Sequence, residues 1–239
     1  MDWTLVYVLA TILLLPAFIF GVISQNLAVS AFNRHSKSLA YTGITARELA
    51  EKLLEKAGIK NVEIVNINGR LTDCYDPRNK VIKLSNATIN SSSIAALGVC
   101  AHEVGHAIQD HNKSFLFRLR IWIVPIINFI SGMFVPMIFL GSILNFTFMI
   151  PTVGYYMIFV SVILYGASLL FHIITLPLEY DASKKALAML KETETLSTTE
   201  LESAKQVLKA AIYTYVAELV TTLLYFIRFL SYARIFDDR

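Results

Sequence analysis

Charged residues are scarce in this sequence: Asp, Glu, Lys and Arg together make up 16% of 239 residues, against 55% hydrophobic residues and a mean hydropathy of +0.56. So little charge is incompatible with an ordinary water-soluble domain and points to a membrane protein. Cysteine is nearly absent as well. Cys74 and Cys100 stand outside any CxxC spacing, which argues against a disulfide framework and a thiol-rich zinc site, and leaves reduced thiols facing the cytoplasm. Neither sign of charge dominates. A net charge of +3 gives no basic surface for nucleic acid, so no nucleic-acid partner is expected. Internal repeats and low-complexity tracts are missing too.

What the chain has instead is apolar sequence in blocks. The uncharged run from Trp3 to Ser24, WTLVYVLATILLLPAFIFGVIS, is long enough to cross about 30 Å of hydrocarbon at about 1.5 Å per residue. A cleaved signal peptide competes with this reading, but it would need a basic start, and only Asp2 precedes the run apart from Met1; a retained anchor over residues 1–24 is therefore expected. Residues 121–176 read as a two-span hairpin, with spans near Ile121 to Leu144 and Thr152 to Leu176 joined by a tight turn around Asn145 and Pro151. A last apolar block, Ala210 to Leu230, carries Glu218 and Arg228. It fits a final span, a tilted helix packed on the bundle, or an interfacial helix. Arg34, Lys37, Arg118, Arg120, Lys184 and Lys185 flank the spans on what the positive-inside rule makes the cytoplasmic face. The N-terminus and the loop at Asn145 fall on the other side, and the lipid bilayer is the first expected partner.

The non-membrane sequence lies mainly in residues 25–120. Thr45 and Glu48 have capping-box spacing and predict a helix from Ala46, closed by Gly58. VEIVNINGRLTDCYDPRNKVIKLS alternates apolar and polar residues between turn signals and reads as short strands. SSSIAALGVCAHEVGHAIQ reads as a helix capped by its serines. Residues 177–239 add a cytoplasmic linker, KETETLSTTELESAKQVLKA, in which Ser197 and Glu200 predict a helix start. The expected fold class is thus mainly α: a multi-span helical membrane protein with a small α+β, zincin-like cytoplasmic portion.

The chemistry concentrates in AHEVGHAIQD, residues 101–110. At about 100° per residue, His102 and His106 lie on one helix face and can offer imidazole nitrogens to a single ion. Glu103 beside them suits a general base, because zinc polarises water or a carbonyl and a nearby carboxylate takes the proton and returns it to the leaving amine. The metzincin continuation is missing, with Gln109 and Asn112 in place of its Gly and His. His111 is expected past the helix end, facing solvent. Glu179 in LPLEYDASKKAL is the expected third ligand: two crossings between the motifs return the chain to the side of the histidines. His172, seven residues earlier on the same helix face, is a second catalytic candidate as a donor to the oxyanion, against the alternative of packing among aromatics. Ser183 shares the face of Glu179 and can orient a ligand, whereas Asp181 lies about 200° round. Asp110 is placed either to hold the second nitrogen of His106 or to serve as a helix-end charge.

Taken in order, TDCYDPRNKVIKLS, AALGVCAHEVGHAIQD and LPLEYDASKKAL make the chain resemble the YugP-like neutral zinc metallopeptidases of bacterial membranes over nearly its whole length. The resemblance implies His102, His106 and Glu179 as ligands of one zinc ion per chain, Glu103 as base, and a multi-pass place in a bacterial cell membrane. More remotely, the chain is similar to membrane gluzincins such as the heat-shock membrane protease and the CAAX-prenyl protease, in which an Asp follows the third-ligand Glu by four positions; here that position is Ser183.

The expected function is a membrane-anchored zinc endopeptidase, its active site on the cytoplasmic face, acting on a protein or peptide substrate. The strands near Val62 to Ser85 offer an edge to that substrate, and Tyr75 is a further oxyanion donor. The alternative is a zinc-stabilised membrane scaffold, an inactive relative that binds partners without cleavage; structural zinc sites usually close with four protein ligands, and here three are expected. An intramembrane protease is disfavoured by the polar residues NSSS and QDHNKS on both sides of the motif.

Overall fold

The computed structural model describes residues 2–146 and 151–237. In chain order the elements are α1 (Trp3–His35), α2 (Ala46–Lys56), β1 (Glu63–Ile67), β2 (Cys74–Asp76), β3 (Val81–Ser85), α3 (Ile94–His111), α4 (Phe115–Phe146), α5 (Pro151–Glu192) and α6 (Thr198–Asp237). The protein is mainly helical. The tight turn expected between Asn145 and Pro151 lies largely outside the described residues.

Among the described residues three helices are long and apolar enough to cross a membrane: Trp3–His35, Thr152–Glu192 and Thr198–Ile235. A fourth is added if α4, bent by 46° between Phe115–Ile127 and Gly132–Asn145, counts as one span. Helices α1 and α5 run on past the expected span limits near Ser24 and Leu176, to His35 and Glu192, with Pro177 inside α5.

The chain divides into two compact units. The first comprises the described residues of Met1–Ile23, Arg120–Leu176 and Tyr215–Arg239, and the second comprises Ser24–Leu119 with Pro177–Thr214. In the first, Ile158, Val162 and Ala233 are buried against Phe226, Phe229, Leu230 and Tyr232. Leu9, Ile12, Leu15, Phe18, Trp122, Phe139 and Ile163 are exposed, as a lipid-facing surface requires. The ionisable residues of the last block are partnered. The guanidinium of Arg228 donates to the hydroxyl of Tyr7 at 3.2 Å and lies over its ring, and Glu218 stands 3.7 Å from Nδ1 of His172, as polar groups at membrane depth require.

The second unit is built on local signals. Thr45 and Glu48 form both halves of the capping box. From there Ala46, Leu49, Ala50, Leu53 and Leu54 bury one face of α2, the i, i+3, i+4, i+7 pattern of an amphipathic helix. Gly58 follows in the left-handed region at φ +71°, where glycine ends a helix without strain. The three strands form one sheet in the order β1-β3-β2, with β3 parallel to β1 and antiparallel to β2. Asp76 accepts the amides of Arg78 and Asn79 at 3.1 and 3.2 Å and so makes the turn from β2 to β3. Asp73 holds the amide of Ser85 at 2.7 Å. Helix α3 starts on Ser93, whose hydroxyl accepts the amide of Ala96, and it packs between α2 and the sheet with Leu97, Ala101 and Val104 fully buried. His111 is the last residue of α3 rather than a residue beyond it, and it is exposed. Helix α6 opens on the second capping box, Ser197 with Glu200.

Candidate metal centre

His102, His106 and Glu179 converge, with one ligand atom from each lying within 4.8 Å of the others. Nε2 of His102 is 3.1 Å and Nε2 of His106 is 3.4 Å from the same oxygen, Oε2 of Glu179. The rings stand edge to face at 86°, with centroids 4.7 Å apart. Helix α3 supplies both histidines from adjacent turns of one face. Helix α5 supplies the carboxylate, and the two backbones are able to meet because of Gly105: a Cβ there would lie 2.8 Å from the carbonyl oxygen of Ala182. All three side chains are largely or fully withdrawn from water, Glu179 being 1% exposed.

The nitrogens that face away from the centre are held by neighbours. Nδ1 of His106 lies 2.9 Å from Oε1 of Gln109, and Nδ1 of His102 lies 3.1 Å from the hydroxyl of Ser183. The amide nitrogen of Gln109 donates to the carbonyl of Leu178 and to Oδ2 of Asp181. Its oxygen is therefore the atom toward His106, and an amide oxygen only accepts. The proton of neutral His106 must sit on Nδ1, which leaves a lone pair on Nε2 aimed at the carboxylate oxygen of Glu179. Two electron-rich atoms 3.4 Å apart in a buried site repel unless a proton or a metal ion lies between them. The donor set fits zinc in particular. Ligand atoms about 2.0–2.1 Å from an ion at tetrahedral angles stand roughly 3.3–3.4 Å from one another, close to the separations found here.

Glu103 follows His102 on α3 and is 7% exposed. Its Oε2 accepts the backbone amide of Tyr75 at 2.7 Å. Burial pushes its carboxyl up to about 7, with the charge of Glu179 adding to the rise while His102 and the Tyr75 amide work against it. The Tyr75 amide belongs to β2, the edge strand beside α3, and it points away from β3.

The other candidate residues have partners of their own. Asp110 does not reach His106. It takes the hydroxyl of Tyr75 at 2.6 Å and the ammonium of Lys80 at 2.5 Å, because the i+3 neighbour Gln109 lies closer to the His106 ring. The phenolic proton of Tyr75 is committed to Asp110, so its hydroxyl is not a free oxyanion donor in this arrangement. Asp181 takes part through the amide of Gln109 despite its angle on α5. His172 belongs to the other unit, where it neighbours Glu218 and packs edge to face against Phe171. Gln109 is the residue that sequence reasoning missed. Its i+3 spacing from His106 is the signal that the sequence offers for this contact.

Comparison with known proteins agrees with this chemistry. The family model described as "Putative neutral zinc metallopeptidase" matches residues 10–234. The chain is 36% identical over 200 residues to "Putative membrane protease YugP" of Bacillus subtilis (strain 168), covering 84% of this chain and 85% of the relative. No solved structure matches it. With the match running from the first helix to the last, the chain belongs to the family of putative neutral zinc metallopeptidases.

Proposed function

We propose that this protein is a membrane-anchored zinc endopeptidase that cleaves peptide bonds with Glu103 as general base, its zincin-like α+β portion and its active site facing the cytoplasm of a bacterial cell. The observation that carries this reading is the convergence of His102, His106 and the buried Glu179, with one ligand atom from each within 4.8 Å of the others, and a second carboxylate, Glu103, on the same helix as the histidines. His102 and His106 through Nε2, and Glu179 through its carboxylate, would hold the ion. Zinc bound there would supply a Lewis acid that polarises the scissile carbonyl and makes water acidic enough to be deprotonated near neutral pH.

The chain's own residues supply the rest. Glu103 takes a proton on its carboxylate and delivers it to the leaving amine, and the Tyr75 amide fixes one of its oxygens. Ser183 and Gln109 keep the two imidazoles turned toward Glu179. The outward edge of β2, which carries that amide, is suited to an extended peptide adding as a further strand. Among the described residues the cluster contains three ligand side chains, which favours a site with an open position over a closed structural one. Arg34, Lys37, Lys184 and Lys185 on the polar stretches support the cytoplasmic orientation.

The test is Glu103→Gln in detergent-purified protein, with zinc by elemental analysis and casein cleavage on the same samples. Zinc retained with hydrolysis lost by about 100-fold or more is the expected result. Full activity in the variant would remove Glu103 from the role of base.

A further inference from the structure

Away from the metal centre, the second unit contains a cleft of about 260 Å³ between the C-terminal half of α1 and the start of α6. Leu27, Ala31 and Ala210 give it an apolar wall, and Arg34, Lys209 and Gln206 line it with donors. Among the described residues neither Arg34 nor Lys209 takes part in an ion pair; Lys209 rests over the ring of Tyr213 at 5.9 Å. His35, 9% exposed, lies with Nε2 3.2 Å from Oε1 of Gln206. An amide oxygen only accepts, so the imidazole is the donor, and both hydrogens of the Gln206 amide nitrogen remain for a ligand. Two unpaired cations and an amide donor beside an apolar wall suit a phosphate that carries a hydrocarbon tail.

The depth of the cleft identifies the source of that phosphate. Asp2 and Arg34 are successive charges on the chain, 32 positions apart (34 − 2), with no charged residue between them. Along helix α1 this is about 48 Å, against roughly 40–45 Å for a bilayer with its headgroup layers. Arg34 is therefore the first charge to emerge at the headgroup level. Leu27, about half exposed, precedes it by seven positions, shares its face of α1 and forms the apolar approach to the phosphate donors of the cleft.

We propose that this cleft binds the headgroup of an anionic phospholipid, with Arg34, Lys209 and Gln206 on the phosphate and the start of the acyl chain along Leu27 and Ala31. The test uses the full chain in detergent, with dioleoyl phosphatidylglycerol, dioleoyl phosphatidylcholine or glycerol 3-phosphate added and binding read by native mass spectrometry. Wild type should retain phosphatidylglycerol in preference to phosphatidylcholine. Arg34→Gln/Lys209→Gln should bind it roughly 30-fold more weakly, the factor expected for two juxtamembrane cations. Ala31→Phe, which fills the cleft and keeps both charges, should also lose it, while Lys60→Gln, at an exposed position outside the cleft lining, should not. Zinc content should be unchanged throughout, which separates this result from any failure at the metal centre. Equal retention of phosphatidylglycerol by wild type and both cleft variants would overturn the proposal. So would equal binding of glycerol 3-phosphate, since that would make the site one for free phosphate.

Discussion

Gln109 fixes the proton of His106: its amide nitrogen is committed to Leu178 and Asp181, so its oxygen accepts from Nδ1 at 2.9 Å and Nε2 is left bare toward Glu179. A neutral ring held in this way has the tautomer that the proposed metal site requires. Replacing Gln109 with Leu keeps the volume and removes the acceptor. Zinc affinity of Gln109→Leu, measured by competition with a chromogenic chelator, should fall about 10- to 100-fold. An unchanged affinity would mean that Gln109 does not orient the ring.

The proposed third ligand is tested by its loss. Wild type should carry one zinc per chain, and Glu179→Ala and His106→Ala should each lose it, and with it any casein cleavage. Removing one of three ligands to an ion held by two imidazoles and a carboxylate leaves too few for tight binding. Elemental analysis after gel filtration reads this directly, and zinc retained without Glu179 would show that another residue completes the site.

Gly105 is where α3 and α5 touch, and the contact is made by backbone rather than by a flexible side chain. A methyl group at this position would come within 2.8 Å of the Ala182 carbonyl, so the helices must part or bend. Gly105→Ala should destabilise the protein by about 1–3 kcal/mol, as overpacking does, and should also lower zinc affinity, because Glu179 moves with Ala182. Gly43→Ala, at a left-handed turn with open space around it, should reduce stability without affecting zinc. Thermal unfolding and zinc titration of the two variants separate the effects.

The parts of this architecture that sequence made legible are those encoded over a few residues. The two capping boxes, Thr45 with Glu48 and Ser197 with Glu200, each mark a helix start within one turn. The i, i+4 pair of His102 and His106 declares its shared face in the same way. The sheet order β1-β3-β2 was not readable, because the central position of β3 depends on pairing across the chain rather than on any local pattern. The support of the site was hidden for the same reason. Gln109 meets Asp181 across 72 positions, and nothing in either residue's neighbourhood announces the other. Hydropathy marks the expected spans but not the full helices that contain them, whose hydrogen-bonded ladder continues through Asn33 in α1 and Lys184 in α5.

Tyr75 ties the edge strand to α3 at both ends of the residue, its amide on Glu103 and its hydroxyl on Asp110. Tyr75→Phe removes only the second tie and leaves Asp110 with Lys80. Stability should fall by about 1 kcal/mol, the usual worth of such a hydrogen bond, and casein cleavage should fall less than tenfold with zinc retained. A loss of 100-fold or more in kcat with stability intact would instead assign the hydroxyl to the oxyanion.

The two cysteines report on topology and on pH. Cys100 is fully buried with its thiol donating to the carbonyl of Ala46, whereas Cys74 is exposed on β2. A membrane-impermeant maleimide should therefore label Cys74 alone, in inside-out vesicles and not in intact cells, if the β2 face is cytoplasmic. Partial burial raises the Cys74 thiol above its ordinary value, the charge of Glu103 adds to the rise, and Lys83 opposes it. Because the thiolate is the reactive form, a raised pKa means less of it at neutral pH than in a free thiol. Labelling should be slower than that of free cysteine at pH 7 and should still be climbing above pH 9. Labelling of intact cells would reverse the orientation, and a rate that levels off below pH 8 would show that the thiol lies in a different electrostatic environment from the one formed by Glu103 and Lys83.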